Sequence, residues 1–380
     1  MQTDWFDEVP DRRGPNSLKW GKYHGKDILP LWVADMDFKS PPAIIEEAIN
    51  ASRFGNYGYG KCPESLYDSI IDRCLKLYGW EIEKHWIVWL PGMVCALNVC
   101  CRAFENASQA ITQTPIYPPF LTAPGNFGLQ CRRIPMIEMD GRFSIDFESL
   151  SNLSTSEGDL FLFCHPHNPV GTAYTNEELS RLCHWVEERK IIVCSDEIHC
   201  DLILEPDVRH KPFASVGFNA AERTITLMAP SKTFNLPGFG CSYAIISNPD
   251  IRSRFKSAMA GIVPDPPAMS FSLTEAAYRH GESWRQELLI YLRQNRNLAF
   301  DRLSRINGLN PYLPEATYLM WINATELGKP NPHSFFEDNG VGLSDGKDFG
   351  APGFLRLNLG CSRELLEKAL SRIEQACSTL

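Results

Sequence analysis

The residue best suited to covalent chemistry is Lys232, in the stretch T-I-T-L-M-A-P-S-K-T-F-N-L-P-G-F. The apolar run 225–228 predicts a buried strand, so the lysine lies just past the carboxyl end of that strand, where open α/β sheets bind ligands. Desolvation in a partly dry pocket would lower the lysine pKa and make its amine a nucleophile toward aldehydes. A single lysine is more often a solvated surface residue, so its neighbours decide the assignment.

Two other predicted strands end in side chains that suit such a lysine. The run 191–194 is followed by Asp196, and the run 160–164 is followed by Asn168. Parallel strands would bring an amide, a carboxylate and a lysine to one rim of a sheet. This trio suits pyridoxal phosphate: Lys232 links to its aldehyde, Asp196 keeps the ring nitrogen protonated, and Asn168 donates to the ring hydroxyl oxygen.

Binding groups for a substrate carboxylate and for a phosphate are also predicted. Arg356 lies inside the apolar run F-L-R-L-N-L, where a charge needs a partner. Its guanidinium matches an α-carboxylate at two points, although a structural ion pair with a nearby acid is the alternative. Gly92, Met93 and Val94 stand at a predicted helix start, whose free N–H groups and dipole favour a phosphate; an ordinary helix start is the alternative.

These segments resemble the fold-type-I pyridoxal-phosphate enzymes of the class I/II aminotransferase superfamily, and within them the cystathionine β-lyase or C-S lyase branch (MalY/PatB type). The resemblance covers nearly the whole chain and is carried by several motifs: F-D-E-V-P-D-R-R-G, L-P-L-W-V-A-D-M-D-F from Leu29, Y-G-Y-G from Tyr57, P-G-M-V from Pro91, S-D-E-I-H from Ser195, A-P-S-K-T-F-N from Ala229 and G-F-L-R-L-N-L-G-C from Gly353.

The resemblance implies roles for further residues. Tyr59 would reach across a homodimer interface toward the cofactor phosphate of the neighbouring subunit, so that active sites are shared. Residues 34–38 would line the substrate side of the cleft, with Asp35 at the substrate; the alternative for Asp35 and Asp37 is that they cap the next helix. Tyr117 would stack on the cofactor ring, although it could simply be packing. His199 replaces a tyrosine of many aminotransferases, and a histidine here is common in the C-S lyases.

Two departures from the pattern of the aminotransferases bear on which reaction is catalysed. Aminotransferases of this superfamily often hold the phosphate with a serine three positions before the lysine and an arginine eight positions after it, but here these positions are Ala229 and Gly240. The Gly92–Val94 amides, Ser231 and a partner's tyrosine would then hold the phosphate. The departures favour a lyase that cleaves cystathionine or another cysteine S-conjugate. A transaminase remains the alternative, and a third hypothesis is a binding protein that keeps the fold without activity.

The implied fold is α/β and aspartate aminotransferase-like, with a mostly parallel sheet in a large domain and a smaller α+β domain. The boundaries are predicted at 1–44 for an N-terminal arm joining the small domain, 45–275 for the large domain and 276–380 for the small one. A strand is expected at 28–33, and one long helix from about residue 272 is expected to bridge the lobes. G-N-Y-G-Y-G-K-C has P-loop glycines, but Cys62 replaces the Ser/Thr and a helix precedes it, which excludes that reading.

The amino-acid composition limits the kinds of partner and the cellular location that can be expected. The net charge of −9 argues against binding nucleic acid through its phosphates. No apolar run has the length of a membrane span, and the acidic N-terminus is unlike a signal peptide, so a cytoplasmic enzyme is expected. Thirteen cysteines without a C-x-x-C pair indicate mainly buried thiols in a reducing compartment. His165 and His167 lack further ligands, so no metal site is expected.

Overall fold

The computed structural model describes residues 4–378 and 380. Its α-helices are α1 Asp4–Asp7, α2 Leu18–Gly21, α3 Pro42–Phe54, α4 Glu64–Tyr78, α5 Met93–Ala103, α6 Pro118–Thr122, α7 Phe147–Ser151, α8 Asn176–Arg189, α9 Phe218–Arg223, α10 Pro249–Met259, α11 Ala268–His280, α12 Glu282–Leu303, α13 Pro332–Asp338 and α14 Arg363–Cys377. Its strands are β1 Leu29–Pro30, β2 Ile87–Leu90, β3 Gln109–Thr114, β4 Gln130–Pro135, β5 Ile137–Met139, β6 Arg142–Ser144, β7 Leu160–Cys164, β8 Ile192–Asp196, β9 Thr224–Met228, β10 Ser242–Ile245, β11 Asn310–Pro311, β12 Leu319–Asn323, β13 Val341–Gly342, β14 Ser344–Asp345 and β15 Phe354–Asn358.

A seven-stranded sheet in the order β2-β10-β9-β8-β7-β3-β4 forms the centre of the larger layer. Strands β4, β3, β7, β8 and β9 are parallel neighbours, whereas β10 pairs antiparallel with both β9 and β2. The predicted mostly parallel sheet is therefore confirmed. Helix α8, which crosses over between β7 and β8, begins with a capping box, because Thr175 and Glu178 each bond the backbone of the other.

The central strands are apolar throughout because both faces of the sheet are covered. Along β7 the side chains alternate between two cores: Leu160 and Leu162 pack in one cluster, and Phe161 and Phe163 pack in the other. All five residues of β7 are buried. Parallel strands covered on both faces appear in a sequence as continuous apolar runs, which is why these strands could be predicted from the sequence.

A four-stranded antiparallel sheet, β11-β12-β15-β14, lies in the second layer with α12 and α14. The N-terminal segment joins this part of the molecule, because β1 pairs in parallel with β13. A third core holds Leu29 and Leu31 together with side chains of α12, α14 and the small sheet. The domain boundaries predicted from the sequence stay predictions.

Two expected elements differ from the structure. The expected strand at 28–33 is reduced to β1: pairing continues as far as the Leu31 N–H, which donates to the Gly342 carbonyl oxygen, and the Val33 carbonyl then accepts from the Asn358 side chain instead of from a strand. The expected single long helix is divided at Gly281 into α11 and α12. A Cβ atom at Gly281 would lie 2.5 Å from the Ala277 carbonyl oxygen, so a side chain does not fit at this junction.

The thirteen cysteines are free thiols, of which ten are buried and three partly buried, as the sequence predicted. No helix in the described part of the chain is both long and apolar enough to cross a membrane. Among residues 4–378 and 380, no group of three or more His, Cys, Asp or Glu side chains is placed to hold a metal ion.

Candidate active site

The carboxyl ends of β7, β8 and β9 meet at one edge of the sheet and carry the predicted trio. Cys164 is the register partner of Asp196, which in turn pairs with Leu227 of β9. Asn168, Asp196 and Lys232 consequently line one cavity of about 350 Å³. The predicted convergence of an amide, a carboxylate and a lysine is found in the structure.

Most of the other predicted site residues line the same cavity. They come from the start of α5, from the loop before α6, from the turns after β8 and β9, and from β15: Gly92, Met93, Val94, Tyr117, His199, Ser231 and Arg356. Tyr117 also ties its loop to the trio, because its backbone N–H donates to the Asn168 carbonyl oxygen over 3.1 Å. The cavity is thus built from segments far apart in the sequence.

Lys232 is held against the N-terminal segment. Its Nζ donates to the carbonyl oxygen of Ala34 over 2.5 Å. Burial, together with the charge of Arg356, lowers the pKa of Lys232 from 10.5 to about 8, while the charges of Asp35 and Asp196 oppose the shift. A lysine with this pKa supplies a neutral amine near physiological pH, which is the form that attacks an aldehyde or accepts a proton.

Asp196 is a buried carboxylate whose exposed fraction is 3 %. One of its oxygens accepts from the Ile198 N–H over 3.1 Å. Burial raises the pKa of Asp196 from 3.8 to about 7, despite that bond and the charge of Lys232. The carboxylate would ionise more readily beside a cation, so the site suits a protonated ring nitrogen.

His199 lies in the turn after Asp196 and is buried, with no hydrogen-bond partner for Nδ1 among the described residues. Burial lowers the pKa of His199 to about 3, and the charges of Lys232 and Arg356 act in the same direction. The imidazole is therefore neutral. It can donate or accept one hydrogen bond toward a bound group without adding charge.

Arg356 has no carboxylate within ion-pair distance in the described part of the chain, so the alternative of a structural ion pair is wrong. Its Nη1 donates to Asn168 Oδ1 and its Nη2 to the Trp32 carbonyl oxygen, both over 2.9 Å. The Phe349 ring centroid lies 4.6 Å from the guanidinium carbon. Burial lowers the pKa of Arg356 to about 10. A buried guanidinium without a counter-charge, beside a cavity, indicates an anionic ligand.

The amino end of α5 opens onto the cavity. Gly92 is the N-cap residue, and no side chain in the described part of the chain caps the helix, so the first N–H groups of α5 lack partners there. These N–H groups and the helix dipole form a site for a phosphate. Gly240 lies opposite with φ of +54°, and a Cβ there would be 2.9 Å from the Pro91 carbonyl oxygen. A side chain at this position would therefore require the loop to move away from Pro91.

Of the predicted segment 34–38, the described lining of the cavity includes only Ala34, and both Asp35 and Asp37 lie outside it. Asp35 forms a two-point ion pair with Arg12, at 2.6 and 2.7 Å, and Asp37 pairs with the buried Lys19 at 2.7 Å. Helix α3 is capped by Pro41 without a side-chain bond, so the alternative that Asp35 and Asp37 cap this helix is wrong, and Ala34 rather than Asp35 lines the cavity.

Tyr59 is fully exposed on the single chain and does not touch the cavity. Its predicted role needs a second subunit and stays a prediction.

Several residues of the site were not identified from the sequence. Cys164, Cys241 and Ser242 line the cavity, and Ser344 contacts Arg356 through Oγ over 3.2 Å. Asn358 holds the segment that presents Ala34 to Lys232. The sequence did contain a signal for Asn358. It lies two positions after Arg356 in an apolar strand, so both side chains point to the same face of the sheet.

The sheet with its crossover helices, the second layer and a lysine at the strand ends define an aspartate aminotransferase-like protein of fold type I. The family model for aminotransferase class I and II matches residues 26–373. The chain therefore belongs to the class I and II aminotransferase family.

Individual relatives narrow the comparison. Cystathionine β-lyase PatB of Bacillus subtilis (strain 168) is 35% identical, over 98% of this chain and 100% of that protein. The solved structure of OvoB has a TM-score of 0.95 with 44% identity, covering 99% of each chain. The structure of cystalysin from Treponema denticola, which contains a pyridoxal 5′-phosphate cofactor, has a TM-score of 0.93 with 31% identity over 98% of each chain.

Proposed function

We propose that this chain is a pyridoxal-phosphate-dependent carbon–sulfur β-lyase. It cleaves cystathionine or another S-substituted L-cysteine, with water, to a thiol, pyruvate and ammonia. The observation that carries this proposal is the grouping of Lys232, Asp196, Asn168 and Arg356 around one cavity, with no partner of opposite charge for Arg356 among residues 4–378 and 380. The relatedness to a cystathionine β-lyase over the whole chain supports the reaction.

The cavity fits pyridoxal phosphate at each end. The uncapped start of α5 matches the phosphate, the Asp196 carboxylate matches a protonated ring nitrogen, and the Asn168 amide lines the same cavity next to Arg356. When bound, the cofactor supplies an aldehyde that reacts with amines and a ring that withdraws electrons from the substrate α-carbon.

Arg356 binds the α-carboxylate of the substrate. Its two Nη atoms are already oriented, one by Asn168 Oδ1 and one by the Trp32 carbonyl oxygen. Because Asn168 contacts both Arg356 and the cofactor position, the carboxylate and the ring are placed relative to one another by one side chain.

Lys232 removes the proton from the α-carbon. A pKa of about 8 leaves part of the amine neutral at physiological pH, so that it can accept the proton. With the cofactor bound, the Asp196 carboxylate would hold the ring nitrogen in its protonated form, in which the ring would withdraw electrons from the α-carbon most strongly. Departure of the sulfur from the β-carbon then completes the elimination.

The phosphate is held by the amides of residues 92–94, Ser231 and Tyr59 of a partner subunit, in a homodimer that shares its active sites. The lack of any lysine or arginine other than Lys232 and Arg356 among the described lining residues supports a contribution from a second chain. We also propose a cytoplasmic location, which is supported by thirteen free cysteines.

A pyridoxal-phosphate-dependent transaminase acting on an amino acid and a 2-oxo acid is the second candidate, because both reactions share the proton transfer at Lys232. Gly240 argues for the lyase. Its positive φ and the nearby Pro91 carbonyl leave no room for the arginine that would hold the phosphate in many aminotransferases.

One incubation tests the proposal. Purified, cofactor-loaded protein is given L-cystathionine, and free thiol and pyruvate are followed together, with a second sample that also receives a 2-oxo acid. Equal amounts of thiol and pyruvate without the oxo acid are expected, and Lys232→Ala should form neither. Turnover that requires the oxo acid and releases no thiol would establish the transaminase instead. A colourless protein that binds no cofactor would indicate a binding protein.

A further inference from the structure

Behind the active site, the turn that carries Lys232 is bonded to the turn that follows Asp196. Asp201 lies in the latter turn and its exposed fraction is 5 %. Thr233, directly after Lys232 and fully buried, donates its Oγ1 to Asp201 Oδ2 over 3.2 Å. Neither Thr233 nor Asp201 lines the cavity, so any effect they have on the chemistry is indirect, and Lys232 is the cavity residue directly bonded to Thr233 along the chain.

The Asp201 carboxylate is kept charged by a buried partner. Arg73 of α4 places Nη2 2.7 Å from Asp201 Oδ2, in the geometry of a charge contact rather than a directed hydrogen bond. Burial alone would raise the pKa of Asp201, but the charges of Arg73 and Arg285 outweigh it, so the pKa lies below its ordinary value. Tyr78 donates its hydroxyl to the other carboxylate oxygen.

The same arginine also contacts the lysine turn directly. The Arg73 guanidinium carbon lies 5.6 Å from the Phe234 ring centroid and 5.0 Å from that of Tyr278. Arg285 of α12 donates to the Asp201 carbonyl oxygen over 2.8 Å. Helices α4, α11 and α12 therefore all hold the two turns from the side opposite the cavity.

We propose that Asp201 and Thr233 are positioning residues for Lys232, fixing its turn relative to Asp196 so that Nζ stays at the reacting position. Arg73 keeps the Asp201 carboxylate able to accept the Thr233 bond. This inference rests on the proposed role of Lys232. Without the Thr233 bond the lysine turn would move more freely, and the amine would be better solvated and less well aligned with the α-carbon.

Thr233→Val removes only the hydroxyl that makes this bond, and Thr226→Val is its matched control. Thr226 is a fully buried threonine on β9 whose Oγ1 has no partner in the described structure. Thr233→Ser restores a hydroxyl at the first position. Tyr78→Phe, which removes a second donor to the same carboxylate, gives an independent variant if Thr233→Val does not fold.

The first readout uses cofactor-free protein and follows acylation of Lys232 against pH, with modified Lys232 quantified by mass spectrometry. The charges that shift the pKa of this amine are those of Arg356, Asp35 and Asp196. None of these three residues is changed in the variants. We expect Thr233→Val to raise the midpoint by about half to one pH unit, because the amine becomes better hydrated. Thr226→Val and Thr233→Ser should match the unaltered protein, and Tyr78→Phe should shift in the same direction by less.

The second readout uses cofactor-loaded protein. We expect kcat to fall about three- to tenfold in Thr233→Val, with KM nearly unchanged, because alignment rather than substrate binding is lost. Unaltered midpoints in both Thr233→Val and Tyr78→Phe, or equal shifts in Thr226→Val, would overturn the inference. A failure of the proposed function looks different: the unaltered protein would then form no covalent link with pyridoxal phosphate, or would release no thiol.

Discussion

Arg356 and Lys232 are two cationic side chains that line the same cavity, and the charge of Arg356 lowers the pKa of Lys232. Asp196 is the only acidic side chain among the described lining residues. Such an arrangement is costly in the empty protein and is relieved when anionic groups bind. The cavity is therefore prepared for a ligand with a carboxylate at one end and a phosphate at the other.

Replacing Arg356 by lysine tests its role as the carboxylate group. Lysine keeps the charge but loses the planar fork, so the contacts to Asn168 Oδ1 and the Trp32 carbonyl cannot both be kept. We expect KM for L-cystathionine to rise about ten- to a hundredfold, with a smaller change in kcat. Steady-state kinetics would measure this, and an unchanged KM would contradict the assignment.

The raised pKa of Asp196 predicts a pH-dependent stability of the cofactor-free protein. The folded-state value of about 7 lies above the ordinary 3.8, so the folded protein retains a proton that the unfolded chain has lost. The contribution of Asp196 is thus most favourable below about pH 4 and is lost as the pH rises to about 7.

Asp196→Asn removes that titration. Relative to the unaltered protein, the variant should gain free energy of unfolding between pH 5 and pH 7.5, as measured by urea denaturation without cofactor. Buried histidines such as His199 titrate in the opposite direction, but they are present in both proteins and cancel in the difference. A difference that is the same at both pH values would contradict the raised pKa.

At the scale of elements, the residues of the site come from strand ends and helix starts, because the backbone leaves unbonded polar groups at these places. The parallel strands β7, β8 and β9 bring their side chains to one edge, and α5 turns its unbonded N–H groups toward the same space. The loop at Gly240 completes this end of the cavity by packing against Pro91.

Gly240→Ala tests that packing. The added Cβ would lie 2.9 Å from the Pro91 carbonyl oxygen and would sit on a left-handed backbone, so the loop and the start of α5 must separate. We expect the dissociation constant of pyridoxal phosphate to rise about tenfold, measured by absorbance titration.

Gly238→Ala is the control for this change, because a Cβ at that position meets nothing within 4 Å. Equal affinities in the two variants would show that the Gly240 contact does not shape the phosphate end.

At the scale of the whole molecule, the N-terminal segment connects the two layers at the active site. Residues 32–36 accept or donate bonds to Arg356, Lys232, Asn358 and Asn235. Arg12 and Lys19 fix the neighbouring carboxylates Asp35 and Asp37. The segment thereby places its backbone carbonyls between the lysine and the arginine of the site.

The proposed homodimer with shared sites predicts complementation between two defective chains. Tyr59→Ala and Lys232→Ala should each be weakly active or inactive alone. After mixing under conditions that exchange subunits, one site per mixed dimer has both Tyr59 and Lys232, so activity should rise to roughly a quarter of the unaltered level by random pairing.

Sedimentation of the separate variants would establish that both form dimers. Dimers that recover no activity on mixing would contradict the sharing of sites, whereas a monomer would contradict the dimer itself.

The sequence by itself determined the main strands and the chemistry at their ends. Buried parallel strands are continuous apolar runs, and the polar residues that follow them, Asn168, Asp196 and Lys232, stand out against these runs. The capping box at Thr175 and the final helix α14 also follow from local rules of backbone bonding. Each of these signals lies within a few neighbouring residues.

Only the tertiary structure decided which distant groups meet. In the folded chain Arg356 donates to the Asn168 amide and the Trp32 carbonyl rather than to an acid. Asp35 pairs with Arg12 and does not line the cavity. It also divided the expected long helix at Gly281, where Phe234 packs close to the backbone. Such contacts join residues far apart in the chain, and no local pattern of apolar and polar residues encodes which of several possible partners is nearest in space.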